Sequence, residues 1–335
     1  MLTNNFADNF RKTRIMLFGR NLEESFASLE LMFCDLEDNL GNDHVPAMSN
    51  KLVSYVHIFN NLIIEAEKKG WSREDIREKI TNILRIHDQS TFARDIRESK
   101  IKGTFKMINA IIDKIEEAKP NSLGWMIGDY ALKSPITQQH REKIKIQSEL
   151  IKEICGKVKG AYIISIACGS ARDIELVQDD ILKSGAKIFL LDSDVDALAD
   201  AKSRLKKIES QIEIVHMNVV QLPRLIKRLS GNNGNKIEFD LIYMGGLFDY
   251  LPPRIVESVL KNSSKFMKKN GTLMFTNIAD ENPYRPWIEI IGDWDLIERT
   301  KEDMLKFLAI TGCEEHKLFK EPTGLTWIAI ASKKK

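Results

Sequence analysis

The segment at residues 167–173 has the composition of a loop that lets a ligand approach the backbone. Its sequence, Ala-Cys-Gly-Ser-Ala-Arg-Asp, continues from a short apolar run, Tyr162–Ala167. Small residues allow this approach, and the first turn of a following helix offers unbonded N–H groups to an anion. Because the same composition also suits an ordinary tight turn, the assignment depends on the residues at the ends of the other apolar runs.

An acidic residue, Asp192, ends the next apolar run, 23 residues after Gly169. A carboxylate in this place, about 20 residues beyond a glycine turn and at the end of a second strand, can accept hydrogen bonds from ribose hydroxyls. The alternative role is a helix N-cap, because Ser193, Asp194 and Asp196 lead into a helical segment. One of those three can cap the helix, so we favour the ribose role for Asp192.

Two later runs end in residues suited to the rest of a nucleoside ligand. Asn218 follows the run Ile212–His216 and is placed to meet an adenine ring or its amino group. The run Phe239–Met244 is followed by Gly245 and Gly246, which predict close approach of a ligand to the backbone. Ligands of open parallel sheets bind at the carboxyl ends of the strands, so these loops are expected to form one site.

The elements that must position these loops follow a βαβ pattern. From residue 161 onward, short apolar runs bounded by Gly, Asp and Asn alternate with helical segments, as in a parallel sheet. A fifth run covers Thr272–Asn277. The chain closes with His316–Lys320, a Glu-Pro-Thr-Gly turn and Leu325–Ser332, which predict an antiparallel hairpin.

Residues 1–155 show helical periodicity instead. Apolar side chains recur there at steps of three and four, as at Leu22, Phe26 and Leu29. We therefore predict an all-helical N-terminal domain at 1–155 and a ligand-binding α/β domain at 156–335. Two roles stay open for the helices: a lid or substrate element over the pocket, and the interface of a homodimer.

Composition weighs against several classes of function. Lys and Arg number 50 against 48 Asp and Glu, so the charge balance gives no support to a nucleic-acid partner. The four cysteines and six histidines lack the spacing of a metal site, and none is predicted. No apolar run reaches the roughly 18 residues of a membrane span. The run Ile15–Phe18, after Arg11, Lys12 and Arg14, is too short for a signal-peptide core, so we predict a cytoplasmic protein.

The ordered set of motifs resembles the class I S-adenosylmethionine-dependent methyltransferases over roughly Gly160 to Lys335. The resemblance implies a Rossmann-like α/β sheet with an antiparallel C-terminal hairpin, S-adenosyl-L-methionine as the cofactor, and a first motif at Ile166–Asp173. Ala171 departs from that motif by replacing its second glycine with another small residue. The cofactor contacts implied are Ala167, Gly169, Ser170, Asp192, Ser193, Asn218, Val219, Gly245 and Gly246.

A narrower resemblance covers Gly246–Met304. The run Gly-Leu-Phe-Asp-Tyr-Leu at 246–251, with Asn282-Pro283 and Asp293-Trp294 beyond it, is similar to the bacterial family that includes 3-hydroxypalmitate methyl ester synthases. Those proteins methylate a fatty-acid carboxyl group. The resemblance implies a small-molecule acceptor with a carboxylate, and formation of a methyl ester by in-line transfer.

The segment Asp280–Arg299 is the predicted substrate element, because it interleaves aromatic and charged side chains after the fifth run; the alternative is a solvated surface helix. A carboxylate acceptor is ionised at neutral pH and needs only an orienting arginine, Arg285 or Arg299. A hydroxyl or amine acceptor would need a base, for which Asp249 or His216 is the candidate. The candidate substrate-positioning residues are Asp249, Tyr250, Arg285, Asp293 and Arg299.

Competing functions are a methyltransferase acting on a hydroxyl or an amine or imine nitrogen, a nicotinamide-dependent oxidoreductase, and a non-catalytic cofactor-binding scaffold. Ala171 and the closing hairpin argue against the oxidoreductase. Asp192 and the glycine-lined loops argue against the scaffold. A nucleic-acid methyltransferase is disfavoured by the near-neutral charge and by the missing (Asn/Asp)-Pro-Pro-(Tyr/Phe) loop after the fourth run.

Overall fold

The computed structural model describes residues 21–39, 45–229 and 237–334. Arg11, Lys12, Arg14 and the run Ile15–Phe18 lie outside them. The helices before the first strand are α1 Leu22–Asp38, α2 Val45–Lys68, α3 Arg73–Glu78, α4 Thr81–His87, α5 Thr91–Glu98, α6 Phe105–Asp113, α7 Leu123–Lys133 and α8 Pro135–Lys157. No helix within the described ranges has both the length and the apolar character needed to cross a bilayer.

The second half of the chain builds a seven-stranded sheet. The strands are β1 Tyr162–Ile166, β2 Lys187–Asp192, β3 Ile212–His216, β4 Phe239–Met244, β5 Met267–Ile278, β6 Glu315–Lys320 and β7 Thr326–Ser332. The helices among them are α9 Arg172–Glu175, α10 Gln178–Ser184, α11 Val195–Arg204, α12 Leu222–Leu229, α13 Pro253–Lys265, α14 Arg285–Ile290 and α15 Lys301–Ile310.

The order of the strands in the sheet is β3-β2-β1-β4-β5-β7-β6. The first five strands are parallel, while β7 runs antiparallel to β5 and to β6. This arrangement confirms the predicted α/β sheet with its closing antiparallel hairpin and the helical region before it. The order reverses at β1, whose neighbours are β2 and β4, and ligands bind at such a switch point.

Successive strand residues point to opposite faces of the sheet, and at β1 and β2 each face packs against an apolar cluster. Ile163 and Ile188 pack on one side with Ile151 of α8, in a single apolar cluster. Ile164 and Phe189 belong to a second cluster on the other side, with residues of α13 and α15. The strands β1, β2 and β4 thus lie between these two apolar clusters.

Chain contacts divide the protein into two compact units. Of the residues that the structure describes, the helical unit comprises those up to Gly103, Ala110–Thr137 and Pro283–Asp295, and the sheet unit comprises Thr104–Asn109, those from Gln138 to Asn282 and those from Leu296 onward. The units therefore differ from a single division after residue 155. Most of α8 belongs with the sheet because its apolar face, including Ile151 and Ile154, joins a sheet cluster. Helical periodicity alone does not show which layer a helix covers.

Two helical glycines are expected to respond oppositely to replacement by alanine. A methyl group at Gly124 in α7 would collide with the backbone carbonyl of Gln89, whereas one at Gly156 in α8 would meet open space. We expect Gly124→Ala to lower the free energy of unfolding by about 1–3 kcal/mol, as overpacking does. Gly156→Ala should raise it by up to about 1 kcal/mol through helix propensity. Urea denaturation followed by circular dichroism measures both free energies of unfolding. If both variants changed stability in the same direction, the close packing at Gly124 would be contradicted.

Candidate active site

The turn after β1 contains three residues in the left-handed region of backbone conformation. Ala167, Gly169 and Ala171 have φ of 56°, 53° and 51°. Alanine is strained there by roughly 1–2 kcal/mol, and such strain persists only where the surrounding structure fixes the backbone. Ala171 therefore keeps the conformation that glycine would adopt more easily. The side of Gly169 that lacks a Cβ faces open space, which leaves room for a ligand.

Asp192 links the turn after β1 to the loop after β2. Its Oδ2 accepts the Gly169 N–H at 2.8 Å, and its Oδ1 accepts the Asp194 N–H at 3.0 Å. Each carboxylate oxygen keeps a further lone pair, so Asp192 can still accept from a ligand hydroxyl. Asp194 caps α11 by accepting the N–H groups of Asp196 and Ala197. The N-cap alternative for Asp192 is therefore wrong.

The loops after β2 and β3 meet at Ser193 and His216. The Ser193 carbonyl oxygen lies 3.2 Å from His216 Nε2, in an exposed contact that occupies this ring nitrogen. Asn218 Oδ1 accepts the Val220 N–H at 3.1 Å and so begins a short 3₁₀ helix, Val219–Gln221. Asn218 is thus held at the carboxyl edge, with its amide nitrogen as the group left to meet a ligand.

The loop after β4 holds a buried carboxylate. Gly246 has a φ of 98° and precedes a 3₁₀ helix, Leu247–Tyr250. Asp249 within that helix is buried, and its Oδ1 accepts the Ile278 N–H at 2.7 Å. Burial raises the pKa of Asp249, an effect that the neighbouring Lys143 ammonium opposes. Tyr250 is about 40% exposed, which suits a pocket wall.

Arg299 fastens this loop to the end of β5. Its guanidinium donates to the carbonyl oxygens of Phe248 at 2.7 Å and Leu251 at 2.6 Å, and to Asn277 Oδ1. The side chain is buried, since only 3% of Arg299 is exposed. Its hydrogen bonds are directed at protein oxygens. The structure thus places Arg299 under the loop that carries Asp249, as a residue that positions it.

Arg285 and Asp293 lie in the helical unit, whereas Asp249, Tyr250 and Arg299 lie in the sheet unit. Arg285 donates to Glu67 at 2.5 and 3.1 Å and to Glu289 at 2.8 Å, and these contacts hold the pKa of its guanidinium above the usual range. Asp293 accepts from Arg77 at 2.6 Å. The five predicted substrate residues are therefore divided between the two units. Arg285 and Asp293 form their ion pairs with residues of the helical unit.

Three polar residues on one face of α8 were missed by the sequence analysis. His140, Lys143 and Gln147 are spaced three and four apart, so they share one side of the helix. Lys143 Nζ lies 4.0 Å from Asp249 Oδ2. The amide of Gln147 rests against Gly245 so closely that a side chain there would collide with it. The available signal was this polar spacing on the helix directly before β1.

A further missed residue, Asn109, contacts the turn after β1. Its Nδ2 donates to Ser170 Oγ at 3.0 Å and to Asp200 Oδ2 at 3.2 Å, and its Oδ1 accepts from Arg172 at 3.3 Å. Thr104–Asn109 belongs to the sheet unit. The Ser170 hydroxyl is therefore already oriented by the protein. Within the described residues, no cluster of His, Cys, Asp and Glu is suited to hold a metal ion.

Asp173 is a buried carboxylate beneath the same turn. Burial raises its pKa to about 6, whereas a contact with Tyr243 and the hydrogen bond from the Ile174 N–H act to lower the pKa. Ile174 N–H donates to Asp173 Oδ1 at 2.9 Å. Because the folded protein holds the proton more tightly than the unfolded chain, Asp173 weakens folding increasingly as the pH rises from about 4 to about 6.

Asp173→Asn should therefore gain stability over the wild type across that pH range. The difference between the two free energies of unfolding is expected to rise by about 2–3 kcal/mol between pH 4 and pH 7, which corresponds to a pKa difference of roughly two units. Urea denaturation at several pH values measures it. A difference that stays constant with pH would show that Asp173 titrates normally in the folded protein.

Comparison with known proteins concerns the fold. No protein-family model matches the sequence, and no curated protein is found to be similar to it. The structure is similar to a crystal structure described as a possible exported protein from Bordetella parapertussis, with a TM-score of 0.61 and 14% identity, over 88% of this chain and 98% of that one. This likeness shows a shared fold, and the strand order is that of a Rossmann-like sheet with a closing antiparallel hairpin.

Two methyltransferase structures are also similar, at lower scores. Magnesium protoporphyrin IX methyltransferase from Synechocystis PCC 6803 with bound SAH gives a TM-score of 0.45 and 12% identity, over 61% of this chain and 87% of that one. N-methyltransferase NodS from Bradyrhizobium japonicum WM9 gives a TM-score of 0.41 and 14% identity, over 58% of this chain and 98% of that one.

Proposed function

We propose that this protein is an S-adenosyl-L-methionine-dependent methyltransferase that acts on a carboxylate of a small molecule. The observation that carries the proposal is the contact between Asp192 at the end of β2 and Gly169 in the turn after β1. It sets a carboxylate with remaining acceptor capacity beside a left-handed turn that is open to a ligand, at the point where the strand order reverses.

The residues at this edge fit the cofactor. Asp192 would accept from the ribose hydroxyls, and Asn218 and Val219 would line the adenine side. The backbone would approach the rest of the cofactor closely at Ala167, Gly169, Ser170, Ser193, Gly245 and Gly246. When bound, S-adenosyl-L-methionine supplies a methyl group that is already activated on a sulfonium.

The chain's own contribution is to bind, orient and exclude water. Orientation of two reactants contributes much of the acceleration in such a transfer. An ionised carboxylate acceptor provides its own electron pair and releases no proton, so it requires no general base. Asp249 and Tyr250 would shape the acceptor side of the site, and Arg299 would hold their loop. A small-molecule acceptor, a homodimer through the N-terminal helices and a cytoplasmic location stay predictions, as do the roles of Arg285 and Asp293.

Calorimetric titration of the wild-type chain tests the proposal. We expect S-adenosylmethionine and S-adenosylhomocysteine to bind with micromolar dissociation constants and NAD not to bind. Binding of NAD alone would instead favour a nicotinamide-dependent oxidoreductase. If the donor binds, a panel of carboxylic acids, alcohols and amines is tested next, with methyl transfer measured by mass spectrometry. Donor binding without transfer to any of them would favour the scaffold alternative.

A further inference from the structure

We propose that Lys143 binds the carboxylate of the acceptor, in a subsite between α8 and the loop after β4. This inference rests on the proposed function, because it assigns a role at the same site. It replaces Arg285 and Arg299, the two arginines that the sequence analysis favoured for this task. Both of those donate to protein oxygens.

The Lys143 ammonium is buried without a hydrogen bond to the residues that the structure describes. Only 4% of the residue is exposed, and its ion-pair partner, Asp249 Oδ2, is 4.0 Å away, beyond hydrogen-bonding distance. An ammonium can donate three hydrogen bonds, and burying it without them is costly. A ligand with oxygen acceptors would remove that cost.

Three other buried charged residues of the sheet unit, Glu321, Asp249 and Arg299, are hydrogen-bonded. The carboxylate of Glu321 accepts from Thr323, Leu325 and Thr326. Asp249 accepts the Ile278 N–H, and Arg299 donates to three oxygens. Lys143 differs from these three residues because it lacks hydrogen bonds to the described residues. We attribute this difference to a ligand that binds the ammonium.

The loop after β4 passes Lys143 at a glycine. A Cβ built on Gly246 would lie 3.3 Å from Lys143 Nζ and 3.5 Å from Asp249 Oδ2, so the glycine keeps a side chain away from both charged groups. One turn along α8, Gln147 Nε2 occupies the position that a Cβ on Gly245 would take. In the proposed subsite the acceptor carboxylate accepts from the Lys143 ammonium, on the face of α8 that also carries the Gln147 amide. Its location is close to the donor site, because β4 pairs directly with β1.

Charge favours an anion over a neutral group. Burial lowers the pKa of Lys143, while Asp249 and Glu321 act to keep it charged. The charge of Asp249 is also shared with Arg299, which lies close enough to lower the pKa of that carboxyl. An entering carboxylate would therefore meet an ammonium whose existing partners are already engaged elsewhere. The donor carries a carboxylate of its own, so the experiment must separate these two sources.

The test compares Lys143→Met with Lys145→Met, a control on the same helix whose side chain is 63% exposed. Each protein is saturated with S-adenosylhomocysteine and titrated calorimetrically with acetate, octanoate and dodecanoate, and with the corresponding primary amides. We expect at least one carboxylate to bind the wild type and the control at least tenfold more tightly than its amide. In Lys143→Met this preference should vanish, while affinity for S-adenosylhomocysteine stays within threefold of wild type.

Lys143→Met removes the ion-pair partner of the buried Asp249 carboxylate and is expected to lower the free energy of unfolding, so thermal denaturation first shows that the variant is folded. If Lys143→Met does not fold, Lys143→Gln takes its place, and the carboxylate-to-amide ratio of the wild type still tests the subsite. Equal binding of acid and amide by the wild type, or wild-type carboxylate binding by the variant, would overturn the subsite while leaving the donor site intact. A tenfold loss of S-adenosylhomocysteine affinity in the variant would assign Lys143 to the donor instead. Failure of the wild type to bind S-adenosylhomocysteine at all would overturn the proposed function and the subsite with it.

Discussion

Asp192→Ala is expected to weaken S-adenosylhomocysteine binding by about a hundredfold or more. A hydrogen bond to a charged group contributes roughly 1.5–3 kcal/mol, and a ribose can donate two of them to this carboxylate. The substitution also releases the Gly169 and Asp194 N–H groups, which Asp192 holds at 2.8 and 3.0 Å. Isothermal titration calorimetry of the variant and the wild type measures the change.

The matched control for this experiment is Asp196→Ala. Asp196 is an exposed acid in the first turn of α11, four residues beyond Asp192. It should leave the dissociation constant unchanged within about twofold, since a solvated charge contributes little. Thermal denaturation of both variants shows whether they are folded. If the folded Asp192→Ala variant binds S-adenosylhomocysteine as tightly as Asp196→Ala, the ribose role of Asp192 is wrong.

Arg299→Met is expected to lower the free energy of unfolding by about 3–5 kcal/mol. The substitution keeps a long side chain but leaves the carbonyl oxygens of Phe248 and Leu251, and Asn277 Oδ1, without their donor. It also removes one of the positive charges that lower the pKa of the buried Asp249 carboxylate. Urea denaturation followed by tryptophan fluorescence measures the loss.

Arg254→Met provides the control, because Arg254 is an exposed arginine in the first turn of α13. Its effect should remain within about 0.5 kcal/mol, as is usual for surface positions. Because two compact units can unfold in separate transitions, the whole denaturation curve is compared for each variant. An Arg299→Met protein as stable as Arg254→Met would mean that the loop after β4 is held by other contacts.

Much of the fold was predictable because it is encoded locally. The strands β1, β2 and β4 are short and mainly apolar, since both faces of the sheet are covered there, and turn-forming residues bound them. The turn at Ala167 and Gly169 and the acid at Asp192 follow from the order of these elements along the chain. Their convergence at one edge is a consequence of parallel pairing, so the predicted neighbours Gly169 and Asp192 are in contact.

Residues predicted for substrate binding were harder to assign, because charge type alone does not reveal a partner. Arg285 and Arg299 are equally plausible anion ligands in the sequence. The structure gives the first to Glu67 and Glu289 and the second to carbonyl oxygens under the loop after β4. A guanidinium binds whichever acceptors packing brings to it, and those acceptors are mostly distant in the chain.

The α/β architecture, the closing hairpin and the loops of the candidate donor site were predictable from the amino-acid sequence. These depend on hydrophobic periodicity and on the spacing of small and acidic residues, which act over short stretches of chain. The place of most of α8 beside the sheet and the pairing of Lys143 with Asp249 became visible in the three-dimensional structure. That pairing depends on how the apolar face of α8 packs, because burial of this face fixes the direction in which its polar residues approach the loop after β4.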